Sequence, residues 1–219
     1  MGNESIEASF LSVFALISFF IFLITSKYSH KFKSGILLDS DFVKPQAFHE
    51  QPTTRSGGIA IIFSLFISFG IYYLLFSEIL YNYIFISSLI FLVGFLDDLK
   101  IKITPAKRLI VMILILFSFS YIFQLKILHV DIIFIKFITE NHFLSTIFVL
   151  LCFLFVVNGA NLIDGFNGML TIHIIIINSI LAYINLENSN LEFSFILISQ
   201  IIILLSFLLF NFPTAKIFL

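Results

Sequence analysis

Apolar residues in this chain gather into seven long runs, at residues 8–25, 57–76, 79–96, 109–125, 143–157, 169–184 and 195–210. Each approaches the roughly 20 residues that an untilted membrane helix needs, and the shorter ones must borrow flanking residues. The pattern predicts an all-α, polytopic transmembrane helical bundle of about seven spans, with residues 1–219 forming a single integral membrane domain. The first run follows an acidic leader, Glu4 and Glu7, with no Lys or Arg before Lys27. That is the reverse of a signal peptide, so it reads as a retained membrane helix. The connection at residues 126–142 is apolar and β-branched, but is interrupted by Lys126, His129, Asp131 and Lys136. It is too short and too charged to cross twice, and it predicts a small external hairpin lying on the bilayer surface.

Composition agrees. Apolar residues make up 60% of the chain, charged residues only 11%, and the mean hydropathy is +1.11, which together exclude an ordinary soluble domain. The single cysteine, Cys152, lies inside an apolar run and is expected to be a packed thiol. Net charge near zero says nothing about partners, but the distribution of charge does. Alternating the spans puts residues 26–56, 97–108, 158–168 and 211–219 on one side, and ten of the twelve Lys and Arg fall there. The positive-inside bias makes that side cytoplasmic and the N-terminus external.

Three polar clusters lie on that side. Residues 158–168 read Asn-Gly-Ala-Asn-Leu-Ile-Asp-Gly-Phe-Asn-Gly, with Asn158, Asn161, Asp164 and Asn167 at every third position. On helical turns that spacing fans the polar groups over half the circumference; on a tighter three-residue turn it aligns them. Residues 48–58 read Phe-His-Glu-Gln-Pro-Thr-Thr-Arg-Ser-Gly-Gly. There Gly57 and Gly58 permit close backbone approach, and Arg55 offers a planar cationic fork suited to phosphate. Residues 94–100 read Gly-Phe-Leu-Asp-Asp-Leu-Lys. Burying a carboxylate in hydrocarbon costs roughly 2.5–3.5 kcal/mol on insertion scales, so the adjacent Asp97 and Asp98 call for a cation. Mg²⁺ typically takes one or two carboxylates plus substrate phosphates. Lys100, Lys102, Lys107 and Arg108 add anion-binding capacity close by. The plainer readings are a juxtamembrane loop, a solvated helix end and a Gly-rich turn. His173 is expected to hydrogen-bond a neighbouring helix, His129 and His142 to be solvated, and only His49 sits among the polar clusters. No zinc spacing, Walker loop or nucleophile elbow is present, and the basic residues are too scattered to bind nucleic acid.

Taken together, these segments resemble the polyprenyl-phosphate N-acetylhexosamine-1-phosphate transferase family (glycosyltransferase family 4), which includes the bacterial phospho-MurNAc-pentapeptide translocase. The likeness runs through His49 and the Pro-Thr-Thr-Arg-Ser-Gly-Gly of residues 52–58, the Gly-Phe-Leu-Asp-Asp of 94–98, and Thr104-Pro105 with Arg108-Leu109. It continues through the Asn- and Gly-rich 158–168 stretch and the Asn-Phe-Pro and Ala-Lys-Ile-Phe of 211–218. The 52–58 form looks more like the N-acetylhexosamine branch. Asn167 departs from the pattern, since many relatives carry a second Asp there.

The resemblance implies transfer of a sugar 1-phosphate from a UDP-N-acetylhexosamine to undecaprenyl phosphate, releasing UMP. This would be the first membrane step of a cell-envelope polysaccharide, at the bacterial inner membrane. It implies Mg²⁺, with Mn²⁺ as the alternative ion, and is compatible with a homodimer. Asp97 would deprotonate or orient the lipid phosphate, while Asp98 and Asn161 would position the metal. Asp164 with Asn167 would contact the nucleotide or sugar, and Arg55, Lys100 and Arg108 would hold phosphates; His49 and Asn158 complete the substrate-binding set. A direct route and a covalent phospho-carboxylate route both stay open. In this family a Gly-Asp-x-Gly motif, a His-rich loop and further helices follow the Lys-Ile-Phe segment. The chain is therefore expected to be a C-terminally truncated member, and an inactive remnant is one alternative. A transporter or lipid-binding protein is the other, though transporters place ionisable groups near the bilayer midplane and these cluster at one face.

Overall fold

In hydrocarbon an unpaired backbone amide costs several kcal/mol, so apolar blocks of this length close their own hydrogen bonds as helices. The computed structural model describes residues 2–32, 37–39, 53–99, 104–125, 132–163 and 167–219. In chain order the elements are α1 (Gly2–Phe32), β1 (Leu38–Asp39), β2 (Thr53–Thr54), α2 (Gly57–Phe76), α3 (Tyr81–Asp98) and α4 (Pro105–Ile122). They continue with α5 (Ile133–Glu140), α6 (His142–Ile163), α7 (Met169–Glu187) and α8 (Leu191–Asn211). Five helices, α1, α2, α6, α7 and α8, are long and apolar enough to cross a membrane, and α3 contributes a shorter apolar stretch over Tyr81–Leu96. The protein is a polytopic membrane protein built of helices; the two-residue strands β1 and β2 pair antiparallel, Leu38 opposite Thr54.

Two sequence expectations change. The 126–142 connection is not a hairpin over its described part, since residues 133–140 form α5; residues 126–131, with His129 and Asp131, lie outside the described residues. Lys136, Thr139 and Glu140 fall at i, i+3 and i+4, which gathers the polar groups on one helical face despite the β-branched composition. Packing of α5 on α6 then favours the helix. Cys152 is not packed but exposed on α6, on surface that lipid would cover.

The chain divides into two compact units, residues 1–91 with 164–219, and residues 92–163. In the first, α8 is the hub and packs on α1, α2 and α7. Half of its spanning window is buried, against a third for α2. Phe14 and Phe22 of α1, Ala60 of α2, and Ile203 and Phe207 of α8 form a buried cluster with Ile217. Nearer the other end of α2, Tyr72 packs with Phe195 and Ile196, and its hydroxyl donates to Glu192 (3.1 Å) in the first turn of α8. Ser18, Ser64, Ser68, Ser199 and Ser206 are also buried, and such small residues let membrane helices approach closely.

One polar contact joins α7 to α8 within the apolar region: Asn178 Nδ2 donates to Gln200 Oε1 at 3.0 Å. Interhelical bonds of this kind average about 0.6 kcal/mol in membranes. Asn178→Leu is expected to destabilise the protein by about that amount, read as a small fall in the thermal unfolding midpoint in detergent.

In the second unit, α4 and α5 pack on α6. Thr104 caps α4, accepting from the Lys107 N–H at 3.4 Å, with Pro105 opening the first turn. The helix therefore starts four residues before the apolar run does. Tyr121, near the end of α4, packs against His142, at the start of α6, with ring centroids 5.5 Å apart and the rings tilted by 34°.

Candidate functional site

In the first unit, one end of the helices is closed by main-chain pairing between segments far apart in sequence. The Phe218 N–H donates to Thr54 O (2.9 Å), and the Gly57 N–H donates to Phe218 O (2.7 Å). Thr54 and Ile217 form a parallel bridge. The Arg55 N–H donates to Leu37 O (2.9 Å), so the backbone carrying this cation is held from two directions. Thr53, Thr54 and Ser56 are buried, and the Thr54 and Ser56 hydroxyls lie 3.3 Å apart.

Gly57 is required by this pairing. A Cβ there would sit 2.6 Å from Phe218 O and 2.8 Å from Phe207 Cε2. Gly58 makes no such close approach to a neighbouring helix: its nearest neighbour would be Phe91 Cε2 at 3.9 Å, an ordinary contact.

The 158–168 stretch divides between the units. Residues 158–163 continue α6, so the three-residue spacing of Asn158 and Asn161 is helical, about 60° apart around the axis. Asn158 Nδ2 donates to Leu154 O (2.8 Å) on its own helix. Gly168, at φ 75°, forms the N-cap of α7 in the first unit. Its N–H donates to Asn211 Oδ1 (2.6 Å), and Asn167 Nδ2 donates to Pro213 O (3.1 Å). Asn211, 5% exposed, also donates through Nδ2 to Ile217 O (3.0 Å). Thus Arg55 and Asn167 lie on segments tied to the same C-terminal strap, residues 211–218.

In the second unit, Asp97 and Asp98 occupy the last turn of α3, where no basic residue accompanies them. That is the negative end of the helix macrodipole, the least favourable place for two carboxylates unless a cation meets them. Arg108 is half-buried in the first turn of α4, beside Lys107, where the helix N-terminus and the side chains are alike positive. Acidic and basic ends are separated by only the 99–104 connection.

The structure thus places Arg55 and Asn167 in one unit and Asp98, Arg108 and Asn158 in the other. His49, Lys100 and Asp164 lie outside the described residues, as do the side chains of Asp97 and Asn161, whose backbones belong to α3 and α6. Among the described residues, His173 meets its own helix rather than a neighbouring one: its Nδ1 lies 3.2 Å from Met169 O, one turn back in α7. Sequence reasoning gave Asn211 no role, although a lone amide closing a long apolar run was a usable signal.

A family model for glycosyl transferase family 4 matches residues 79–219. The match holds the Asp97–Asp98 pair, Arg108, the 158–168 stretch and the 211–218 strap. The phospho-N-acetylmuramoyl-pentapeptide-transferase of Streptococcus sanguinis (strain SK36) is 30% identical over 210 residues, which cover 88% of this chain and 62% of the relative. The chain thus spans less than two thirds of the length of that relative.

Proposed function

The chain belongs to glycosyl transferase family 4, and from that premise we propose that it transfers N-acetylhexosamine 1-phosphate from a UDP-sugar to undecaprenyl phosphate, releasing UMP. The observation that carries this reading is the Asp97–Asp98 pair in the last turn of α3, within the family match. Both substrates are phosphates, so catalysis needs alignment and charge neutralisation more than elaborate covalent chemistry. In the proposed step a lipid phosphate oxygen, deprotonated or oriented by Asp97, attacks the β-phosphorus of the UDP-sugar. The bond from that phosphorus to the UMP oxygen breaks, and UMP leaves with the electron pair. Arg108, Lys100 and Arg55 are assigned to phosphate oxygens by their charge. Asn158 with Asp164 and Asn167 serves the nucleotide and sugar, and His49 completes the polar set.

We assign Mg²⁺ to Asp98, in the last turn of α3, with Asn161 as a second oxygen donor; a carboxylate and a carboxamide oxygen are hard ligands of the kind this ion takes. An ion that shares its shell with substrate phosphates needs only one or two protein carboxylates. Bound there, the ion would neutralise pyrophosphate charge as the leaving oxygen develops it. The excess of Lys and Arg on the motif side supports a cytoplasmic location for these ends, in a bacterial cell membrane.

The test is direct. In vesicles containing the chain, UDP-N-acetylglucosamine should yield UMP and a lipid-linked sugar in equal amounts, and only when undecaprenyl phosphate and Mg²⁺ are both supplied. Release of UMP without the lipid acceptor would indicate a hydrolase, and no release with any UDP-N-acetylhexosamine would sink the reading.

A further inference from the structure

We propose that Asn211 is a positioning residue for the transfer, one buried carboxamide that sets two separate segments of the site at once. The inference rests on the transferase reading above. Asn211 is the last residue of α8, and both of its bonds go to main chain: Oδ1 accepts from the Gly168 N–H and Nδ2 donates to Ile217 O. Each bond therefore holds a backbone path rather than another side chain.

The first bond fixes the entry to α7. Gly168 is buried in a left-handed conformation, and its N–H points away from the helix it caps. Asn211 supplies the acceptor, and the preceding residue, Asn167, is then held by its own bond to Pro213 O. The second bond orients the carbonyl of Ile217. That residue bridges Thr54, and the next one, Phe218, exchanges main-chain bonds with Thr54 and Gly57 on either side of Arg55. One side chain thus sets Asn167 through Gly168 and the backbone of Arg55 through 217–218.

Only a planar group with a donor and an acceptor on a one-carbon stem meets both demands. An ionised Asp accepts but cannot donate, Leu has the volume but neither function, and Gln is a methylene too long. Misplacing reacting groups by about 1 Å costs on the order of 10²-fold in rate, which sets the size of the effect.

The experiment compares wild type, Asn211→Leu and Asn211→Asp by kcat and KM for UDP-N-acetylglucosamine from pH 5.5 to 8. It adds hydrogen exchange of the peptide that contains Gly168. Among the described residues, the charged or titratable side chains on the segments that meet here, with the adjoining end of α1, are Lys27, Tyr28, Arg55, His173 and Lys216, common to all three proteins, so rates are read as variant over wild type at each pH. Asn211→Leu should lower kcat about 10²-fold with a smaller change in KM, and should speed exchange at Gly168. Asn211→Asp should behave like Asn211→Leu at pH 8 and recover toward pH 5.5, because a neutral carboxyl both accepts from Gly168 and donates to Ile217. Wild-type kcat in Asn211→Leu, a pH-independent ratio for Asn211→Asp, or unprotected Gly168 in the wild type would each overturn the proposal. A protected Gly168 in a chain that transfers nothing would overturn the transferase reading, and the positioning role with it, while leaving the bridge itself in place.

Discussion

Asp97→Asn is expected to lower turnover by about 10²–10⁴-fold, the usual range for removing a positioned acid–base group. The measurement is release of UMP from radiolabelled UDP-sugar in vesicles containing undecaprenyl phosphate. Asn has the shape of Asp, so the last turn of α3 stays intact and the KM for the UDP-sugar should change by only a few-fold. What is lost is the negative charge and the basicity that would ready the lipid phosphate for attack. The position reinforces the point. A carboxylate at a helix C-terminus is disfavoured by about 0.3–1 kcal/mol, so neutralising one there should leave the fold no less stable. Lost turnover in a protein that unfolds at or above the wild-type temperature therefore separates chemistry from folding. Near-wild-type turnover would remove Asp97 from the mechanism.

The second large effect is structural. Gly57→Ala places a methyl group 2.6 Å from a main-chain carbonyl and 2.8 Å from the ring of Phe207, itself 1% exposed. Neither neighbour is the free end of a flexible side chain. Relief requires moving Phe218 away, which breaks the bond from the Gly57 N–H. Overpacking of this kind costs about 1–3 kcal/mol, and here it also displaces the backbone beside Arg55. A lowered unfolding midpoint with a larger fractional loss of transfer is the expected outcome. Gly58→Ala is the control: its Cβ meets only open space and a ring atom at 3.9 Å, and Ala favours the helix. Equal effects at the two glycines would contradict the pairing of residues 54–57 with 217–218.

The helices were legible because lipid forces each apolar run to satisfy its own backbone, and α2 coincides with its run at residues 57–76. Which helix forms the hub was not. Where Phe63 and Leu209 face lipid and Ala60 and Phe207 face protein, both faces are equally apolar and no stripe marks the buried one. The short α5 was hidden for another reason. Its Ile-rich composition favours a strand locally, and the helical grouping of Lys136, Thr139 and Glu140 spans too few residues to outweigh that until α6 provides a surface.

The candidate site was legible in part. Adjacent carboxylates, an Arg in a Gly-rich loop and regularly spaced amides all announce themselves by being costly or unusual at a membrane edge. Asn211 was visible as the amide that closes an apolar run, but its partners, the main-chain groups of Gly168 and Ile217, were not. Backbone atoms leave no mark in a sequence, so such an amide can be noticed there while what it holds cannot be read.

The pairing of Thr54 and Gly57 with Phe218 also bears on how the protein is made. The two halves of that contact are separated by most of the chain, and at 5–20 residues per second roughly 10–30 s of synthesis divides them. During that interval α1 and α2 can enter the membrane, but the buried polar residues at the start of α2 lack the backbone partners that complete them. The polar end of this unit therefore closes only after residues 217–218 have been made, and the segment carrying Arg55 waits for them long after its own synthesis.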